Sequence, residues 1–130
     1  MNRTGIAAAI TDLVFNSAIT VEEAADLHFT PDYRQRTDGE WADRAGFIEH
    51  ISHLRSVVAD GFVEVHDELW DGAKYADRHT VHATKKDGSS VLLEVYVFAD
   101  VAPDGRFSRV EETTLMVQGS EADRGLGSAR

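Results

Sequence analysis

Residues 74–117 read KYADRHTVHATKKDGSSVLLEVYVFADVAPDGRFSRVEETTLMV, and this stretch decides the fold. Apolar and polar residues alternate through most of it, with the period of two that is typical of β-strands. Asp87-Gly88 and Asp104-Gly105 interrupt the alternation, and such pairs favour tight hairpins because both residues tolerate positive φ. The stretch therefore predicts three consecutive antiparallel strands, over 74–84, 90–101 and 106–117.

A fourth strand and three helices are predicted upstream. Asp71-Gly72 is a further hairpin signal, and it separates a strand over 62–70 from its successor. Before residue 62 the apolar residues recur at steps of three and four, which is the period of an amphipathic helix. Thr20 and Glu23 have the spacing of a capping box, and Asp43 is a suitable N-cap. The predicted helices cover 4–15, 20–28 and 43–61, with a stop at Asp60-Gly61.

These elements predict an α+β domain in which three N-terminal helices pack on a curved, antiparallel or mixed sheet. A brief strand is expected over 33–37, between the second and third helices. A chain of 130 residues suits one domain, which we assign to residues 1–118. Residues 119–130 are small and polar, so we expect a flexible C-terminal tail.

The composition limits the classes of partner. Thirteen Lys and Arg against twenty-three Asp and Glu give a formal charge of -10, the wrong sign for binding nucleic acid or an anionic membrane. The absence of cysteine excludes disulfides, thiolate nucleophiles and Cys-ligated metals, and it agrees with a cytoplasmic location. No apolar stretch approaches the roughly 20 residues of a membrane span.

Six histidines raise the question of a metal site, but their spacing opposes it. His50 and His53 are predicted to face solvent, away from the apolar stripe of the third helix. His79 and His82 are three apart on a strand and point to opposite faces. Phosphate-binding glycine motifs are also missing. We therefore expect no metal and no cofactor.

Ionisable residues in the middle of the predicted strands are the candidates for chemistry. Arg78, Tyr96 and Glu112 occupy such positions on three neighbouring strands. If they face the helices, a carboxylate, an arginine and a phenol meet in an apolar cavity, as general acid–base chemistry on a small molecule requires. If they face outward, they form a solvated sheet surface.

Several short motifs resemble a known family. They are YRQRTDG at 33–39, YADRHT at 75–80, DGRF at 104–107 and VEE at 110–112. Together with the order of the elements, they resemble the NTF2-like superfamily and its SnoaL-like group. The resemblance implies a cone-shaped α+β fold, a pocket between sheet and helices, and a homodimer formed through the outer sheet face. The superfamily includes polyketide cyclases, ketosteroid isomerase and non-catalytic binding domains.

The resemblance also implies site residues. In SnoaL-like cyclases an acidic residue follows the last D-G turn by a fixed count, which falls on Glu112, a glutamate in place of the usual aspartate. The strand arginine of the group falls on Arg78. The ketosteroid isomerase base falls near Thr37, which is no carboxylate, and the patterns of scytalone dehydratase and limonene epoxide hydrolase are not met. The dehydratase and epoxide hydrolase activities are therefore not carried over.

The sequence thus predicts a protein that binds a small, apolar, oxygen-bearing molecule and catalyses a cofactor-independent cyclisation or isomerisation by proton transfer. Glu112 is the expected base, Arg78 holds Glu112 ionised or stabilises an enolate, and Tyr96 donates a hydrogen bond. The alternative is a non-catalytic ligand-binding or dimeric interaction module of the same fold. The residues expected to bind substrate are Tyr33, Thr80, His82, Phe98, Val110, Thr114 and Met116.

Overall fold

The computed structural model describes residues 5–120 and residue 123. The first helix, α1, spans Ile6–Ile10 and continues as a π-helical turn over Thr11–Phe15. The other helices are α2 (Val21–His28) and α3 (Arg44–Val57). The strands are β1 (Phe29–Thr37), β2 (Glu40–Asp43), β3 (Val58–Asp71), β4 (Lys74–Lys85), β5 (Ser90–Val101) and β6 (Phe107–Gln118).

The six strands form one mixed sheet in the order β2-β1-β6-β5-β4-β3. Neighbouring strands are antiparallel except for β1 and β6, which run parallel. The predicted α+β architecture, with N-terminal helices on a mixed sheet, is confirmed. We call the sheet face against the helices the inner face and the opposite one the outer face.

Strand β5 determines which face is inner. One set of alternate residues is wholly aliphatic and buried, and the other set carries the polar and aromatic side chains. Burying a Val or Leu side chain contributes about 1.5–3 kcal/mol, so the aliphatic set faces the helices. Phe29, Tyr33, Phe47 and Phe107 pack around it. The buried aliphatic set is Val91, Leu93, Val95, Val97, Ala99 and Val101.

The predicted helix caps are confirmed, but the predicted end of the third helix is wrong. Thr20 and Glu23 form a reciprocal capping box, and Asp43 accepts a hydrogen bond from the backbone of Gly46. Helix α3 ends at Val57, and Gly61 lies within β3 without positive φ. A Cβ at Gly61 would lie 2.2 Å from the His82 carbonyl oxygen, so close backbone approach is what requires glycine there.

Strand β2 was not predicted from the sequence. It pairs with Arg34–Thr37 across a two-residue turn in which Asp38 and Gly39 have φ of 51° and 90°. Positive φ at both central residues is typical of the tight hairpin that Asp-Gly favours. Because most of β2 is exposed, its four residues carry no burial alternation that would mark a strand.

The C-terminal tail predicted over 119–130 lies mostly outside the described residues. Asp123 is described, and its carboxylate accepts hydrogen bonds from Lys85 Nζ at 2.7 Å and the Ser120 backbone at 3.0 Å. In the described part of the chain, none of the helices has the length and apolar character needed to cross a bilayer.

Candidate functional site

A cavity of about 120 Å³ lies between the helices and the inner face of the sheet. Its walls are mainly aliphatic and aromatic, and they come from α1 with its π-helical turn, from α3 and from the five strands β1, β3, β4, β5 and β6. Ile6, Leu13 and Phe15 lie on the helical side, and Val95 and Val110 lie on the sheet side. The polar side chains that line the cavity are Tyr33, Gln35, His50, His79, Glu112 and Thr114.

His79 projects into this cavity from β4 as half of a buried pair. Its Nδ1 lies 2.8 Å from Asp77 Oδ1, and both side chains are inaccessible to solvent. Because a carboxylate only accepts hydrogen bonds, we assign the ring proton to Nδ1. Nε2 is buried and has no hydrogen-bond partner. The cavity therefore contains an imidazole lone pair that is free to accept a proton.

Glu112 lines the same cavity from β6. Its Oε1 accepts a hydrogen bond from Thr37 Oγ1 at 3.0 Å. The pKa of Glu112 is raised from its ordinary value to about 7, mainly by burial and also by the negative charges of Asp38 and Asp77. The Thr37 hydrogen bond opposes this shift, as does the positive charge of the His79 ring when that ring is protonated. Near neutral pH the carboxyl group is thus divided between its acid and carboxylate forms.

A chain of hydrogen bonds on β1 leads to Glu112. Tyr33 Oη donates to Gln35 Oε1 at 2.9 Å, and Gln35 Nε2 donates to Thr37 Oγ1 at 3.2 Å. Thr37 then donates to Glu112, and alternation along β1 places the three side chains on the inner face. Burial holds the pKa of Tyr33 well above its usual range, so this phenol stays protonated. The chain fixes the orientation of Glu112.

The β1–β2 turn also holds β6 at this end of the cavity. The Asp38 backbone donates to the Glu112 carbonyl at 3.0 Å. The Asp38 carboxylate accepts from the Thr114 backbone at 2.8 Å and from Thr114 Oγ1 at 2.6 Å. The left-handed conformation of Asp38 is thus used to position the strand that carries Glu112.

His50 lies inside the protein, so its predicted exposure is wrong. It is buried in α3 and lines the cavity. It lies three residues after Phe47 and four before Leu54, which places it on the same helical face as both. Phe47, His50, Ile51 and Leu54 thus form one stripe against the cavity.

Arg78 and Tyr96 do not meet Glu112 in the cavity, contrary to the sequence prediction. Both lie on the outer face, where the Arg78 guanidinium is 3.0 Å from Asp67 and 3.5 Å from Glu94. Tyr96 Oη donates to Glu94. The aliphatic set of β5 occupies the inner face, so alternation places Tyr96 on the outer face. Arg78 pairs with Tyr96 on the neighbouring strand β4 and therefore lies on the same outer face. A buried Arg78–Glu112 pair is therefore excluded.

The predicted substrate-binding residues divide between the two faces. Tyr33, Val110 and Thr114 line the cavity. Met116 packs against the core without lining the cavity. Thr80 and His82 lie on the outer face, bonded to His66 and Glu64, and Phe98 is 70% exposed there. These last three predictions are wrong because the prediction took the polar set of β4 and the aromatic set of β5 as inward.

The Asp77–His79 pair was missed at the sequence level. The alternation placed both residues on one face of β4, but the more polar set with Arg78 was chosen as inner. The aliphatic set of β5 was the signal that could have found them, because register aligns His79 with Val95 and Asp77 with Val97.

In residues 5–120 and 123, no three His, Asp or Glu side chains are grouped as a metal site.

Comparison with known proteins places the chain in a family. No protein-family model matches it. It is 37% identical over 116 residues to the uncharacterised protein C11D3.04c of Schizosaccharomyces pombe, which covers 89% of this chain and 88% of that protein. The chain belongs to the family of this fission yeast protein.

Solved structures identify the fold. A Catenulispora acidiphila protein with a ketosteroid isomerase-like fold matches with a TM-score of 0.66 and 9% identity, over 98% of this chain and 94% of its own. IdmH of Streptomyces antibioticus, described as a candidate polyketide cyclase, matches with a TM-score of 0.63 and 19% identity, over 85% and 88%. At these identities the matches show the fold alone, and the NTF2-like, ketosteroid isomerase-like fold that the resemblance implied is thereby confirmed.

Proposed function

We propose that this NTF2-like protein binds a small, largely apolar, oxygen-bearing molecule in the cavity and catalyses a cofactor-independent proton transfer, as in an isomerisation or cyclisation. The observation that carries the proposal is the unpartnered Nε2 of His79, which shares an apolar cavity with Glu112. Two titratable groups in one mainly apolar cavity are the components of general acid–base catalysis. The similarity of the fold to IdmH, a candidate polyketide cyclase, agrees with this class of chemistry.

In this mechanism His79 is the base. Its Nε2 accepts a proton from a carbon next to a carbonyl group of the substrate, and the electron pair of that C–H bond moves toward the carbonyl oxygen. Asp77 keeps the imidazole in the tautomer with Nδ1 protonated and stabilises the imidazolium that forms. In an isomerisation, His79 returns the proton to another carbon of the enolate. In a cyclisation, the enolate carbon attacks a second carbonyl carbon of the same molecule, and the oxygen of that carbonyl, whose π bond breaks, takes the proton from His79.

Glu112 in its acid form is the matching hydrogen-bond donor. A protonated carboxyl in an apolar site donates to a developing enolate oxygen without placing a second negative charge beside it. The pKa of about 7 means that about half of the protein carries this form near neutral pH. This assignment differs from the sequence-based one, in which Glu112 was the base, because His79 supplies the free lone pair.

The volume and the lining of the cavity limit the size and the charge of the ligand. At about 120 Å³ it is comparable to engineered cavities of roughly 150 Å³ that bind benzene. Its described lining contains no Lys or Arg, while Glu112 contributes negative charge, so a neutral ligand is favoured over an anion. A single ring with one or two oxygen atoms fits both limits.

The proposal predicts that the protein exchanges the α-hydrogens of neutral cyclic ketones. Cyclopentanone and cyclohexanone in D₂O serve as probes, with proton NMR measuring the loss of the α-signals. His79→Gln should abolish the acceleration over free imidazole, and Glu112→Gln should lower the rate by about 10² or more. His82→Gln and Glu111→Gln are matched controls, because both residues lie on the outer face.

Equal rates in His79→Gln and His82→Gln would contradict the proposed catalysis. Binding of the ketones without exchange would instead favour the alternative, a non-catalytic binding module that uses the same cavity. Heteronuclear NMR spectra of the same samples detect binding independently of turnover, so the two outcomes are separable.

We also propose that the protein forms a homodimer through its outer face. Large apolar side chains are exposed there on three strands, and a patch of this kind usually marks an interaction site. A second copy is the occupant expected from the resemblance. A cytoplasmic location stays a prediction from the absence of cysteine. The exposed apolar residues of this face include Leu69, Phe98, Leu115 and Val117.

A further inference from the structure

The hydroxyl group of Tyr75 lies between two carboxylates. Tyr75 Oη is 2.7 Å from Glu68 Oε2 and 2.8 Å from Asp77 Oδ2, and it accepts a hydrogen bond from the Ile6 backbone at 3.2 Å. A phenol has one hydrogen, so it donates to only one of these carboxylates at a time. Tyr75 is buried, whereas Glu68 is exposed to solvent. The hydroxyl therefore connects an exposed acid to the buried Asp77–His79 pair.

A β-bulge in β3 brings Glu68 to this position. The register with β4 passes from Val65 opposite His79 directly to Asp67 opposite Arg78, which leaves His66 as the extra residue. Strict alternation would put residue 68 on the outer face with Glu64. The bulge reverses that alternation, so that Glu68 lies opposite Asp77 instead.

We propose that Tyr75 is a positioning residue for the Asp77–His79 pair and that Glu68 controls its hydrogen bond. This inference rests on the proposed role of His79 as the base. When Tyr75 donates to Asp77, the two oxygens of that carboxylate are both occupied, one by His79 and one by Tyr75. The plane of the carboxylate is then fixed, and less of its negative charge acts on the imidazole. When Tyr75 donates to Glu68, Asp77 acts on His79 with its full charge.

The residues around Tyr75 separate the Glu68–Tyr75–Asp77 connection from the other titratable groups of the cavity. The rings of Trp70 and Phe107 pack against Tyr75, with centroid distances of 4.5 and 5.3 Å. Burial raises the pKa of Tyr75 far above its ordinary value, so the phenol keeps its hydrogen. The titratable groups that line the cavity with His79 are Glu112 on β6, His50 on α3 and Tyr33 on β1. In the hydrogen bonds described for Glu112 and Tyr33, neither side chain is bonded to Glu68.

The test is an NMR titration of the ligand-free, ¹⁵N-labelled protein that records the tautomer and the apparent pKa of His79. Glu68→Gln replaces a carboxylate by a weaker acceptor, so the Tyr75 hydrogen goes to Asp77 and the pKa of His79 falls. Tyr75→Phe removes the donor, so the pKa of His79 rises. Shifts of about 0.5 pH unit in opposite directions are expected. Glu64→Gln is the control, because it removes the same charge from the outer face.

A double-mutant cycle separates the hydrogen bond from the charge of Glu68. In the Tyr75→Phe background, Glu68→Gln should shift the pKa of His79 no more than Glu64→Gln does. An equal response of His79 to Glu68→Gln and Glu64→Gln in the native background would overturn the proposal. That comparison uses only exposed positions, so it holds even where Tyr75→Phe fails to fold. Because no ligand is present, failure of the ketone exchange assay leaves this result unaffected.

Discussion

At the scale of single residues, Glu112 links the chemistry of the site to the stability of the fold. An unfolded chain releases the proton of a glutamic acid near its ordinary pKa of 4.5, whereas the folded protein holds it to about 7. Between these values the native state binds more protons than the unfolded state. The free energy of unfolding therefore falls as the pH rises through this window.

Glu112→Gln should remove this loss of stability. The amide keeps an acceptor for Thr37 but carries no charge, so the variant is expected to be more stable than the native protein at pH 8, by up to about 3 kcal/mol. At pH 4.5 the two should be similar. Urea unfolding across this pH range measures the difference, and Glu111→Gln serves as the control on the outer face. Parallel stability profiles for the native protein and Glu112→Gln would contradict the raised pKa.

At the scale of secondary structure, Arg55 attaches the N-terminal helical segment to α3. Its guanidinium donates to the carbonyl oxygens of Leu13 at 2.6 Å and Ile19 at 2.8 Å. It also donates to those of Asp12 and Asn16, at 2.9 and 3.2 Å. The π-helical turn leaves carbonyl groups without helical partners, and one planar side chain satisfies several of them.

Arg55→Lys should loosen this segment, because an ammonium group cannot reproduce the planar set of donors. We expect a loss of about 1–3 kcal/mol in the free energy of unfolding. We also expect faster amide hydrogen exchange over residues 6–15, which form one wall of the cavity. Arg34→Lys at an exposed position is the control. Unchanged exchange over 6–15 would show that Arg55 does not hold the helix.

Elements were easier to predict than the face that each strand presents. The period of β5 predicted its bounds correctly, since alternation depends only on local sequence. Which face each side chain of β5 occupies depends on which set of alternate residues is buried. Tyr96 was predicted to face inward on chemical grounds, although the other set of residues is aliphatic. The end of α3 was misplaced because Val58 continues the helical stripe yet begins β3.

Residues of the candidate site could be predicted only where a nearby turn defines their position along a strand. Glu112 lies on the strand that follows the Asp104-Gly105 turn, and the resemblance to SnoaL-like cyclases placed it by its distance in sequence from that turn. Asp77 and His79 need β4 to be placed against β5 before their burial is evident. Glu68 approaches Tyr75 only because of the bulge at His66, and no local sequence pattern predicts that bulge.

At the scale of the whole molecule, the outer face is expected to bury its apolar side chains in a homodimer. Phe98→Glu would place a charge in the middle of that interface, on a face that already carries carboxylates, and should yield a monomer. Light scattering coupled to size-exclusion chromatography measures the mass. Leu27→Glu is the control, because Leu27 is 60% exposed on α2, away from the sheet. A native protein that elutes as a monomer would refute the homodimer.

The bulge in β3 has a further consequence, for how copies of the chain can associate. β3 is a fourteen-residue strand at one edge of the open sheet, and an edge of that length presents backbone groups to which another strand can add. The extra residue at His66 breaks the continuous row of these groups. Exposed carboxylates at Asp60, Glu64 and Asp67 would also repel a second copy of the same edge. The feature that turns Glu68 toward Tyr75 thus also protects the sheet from open-ended polymerisation into fibres.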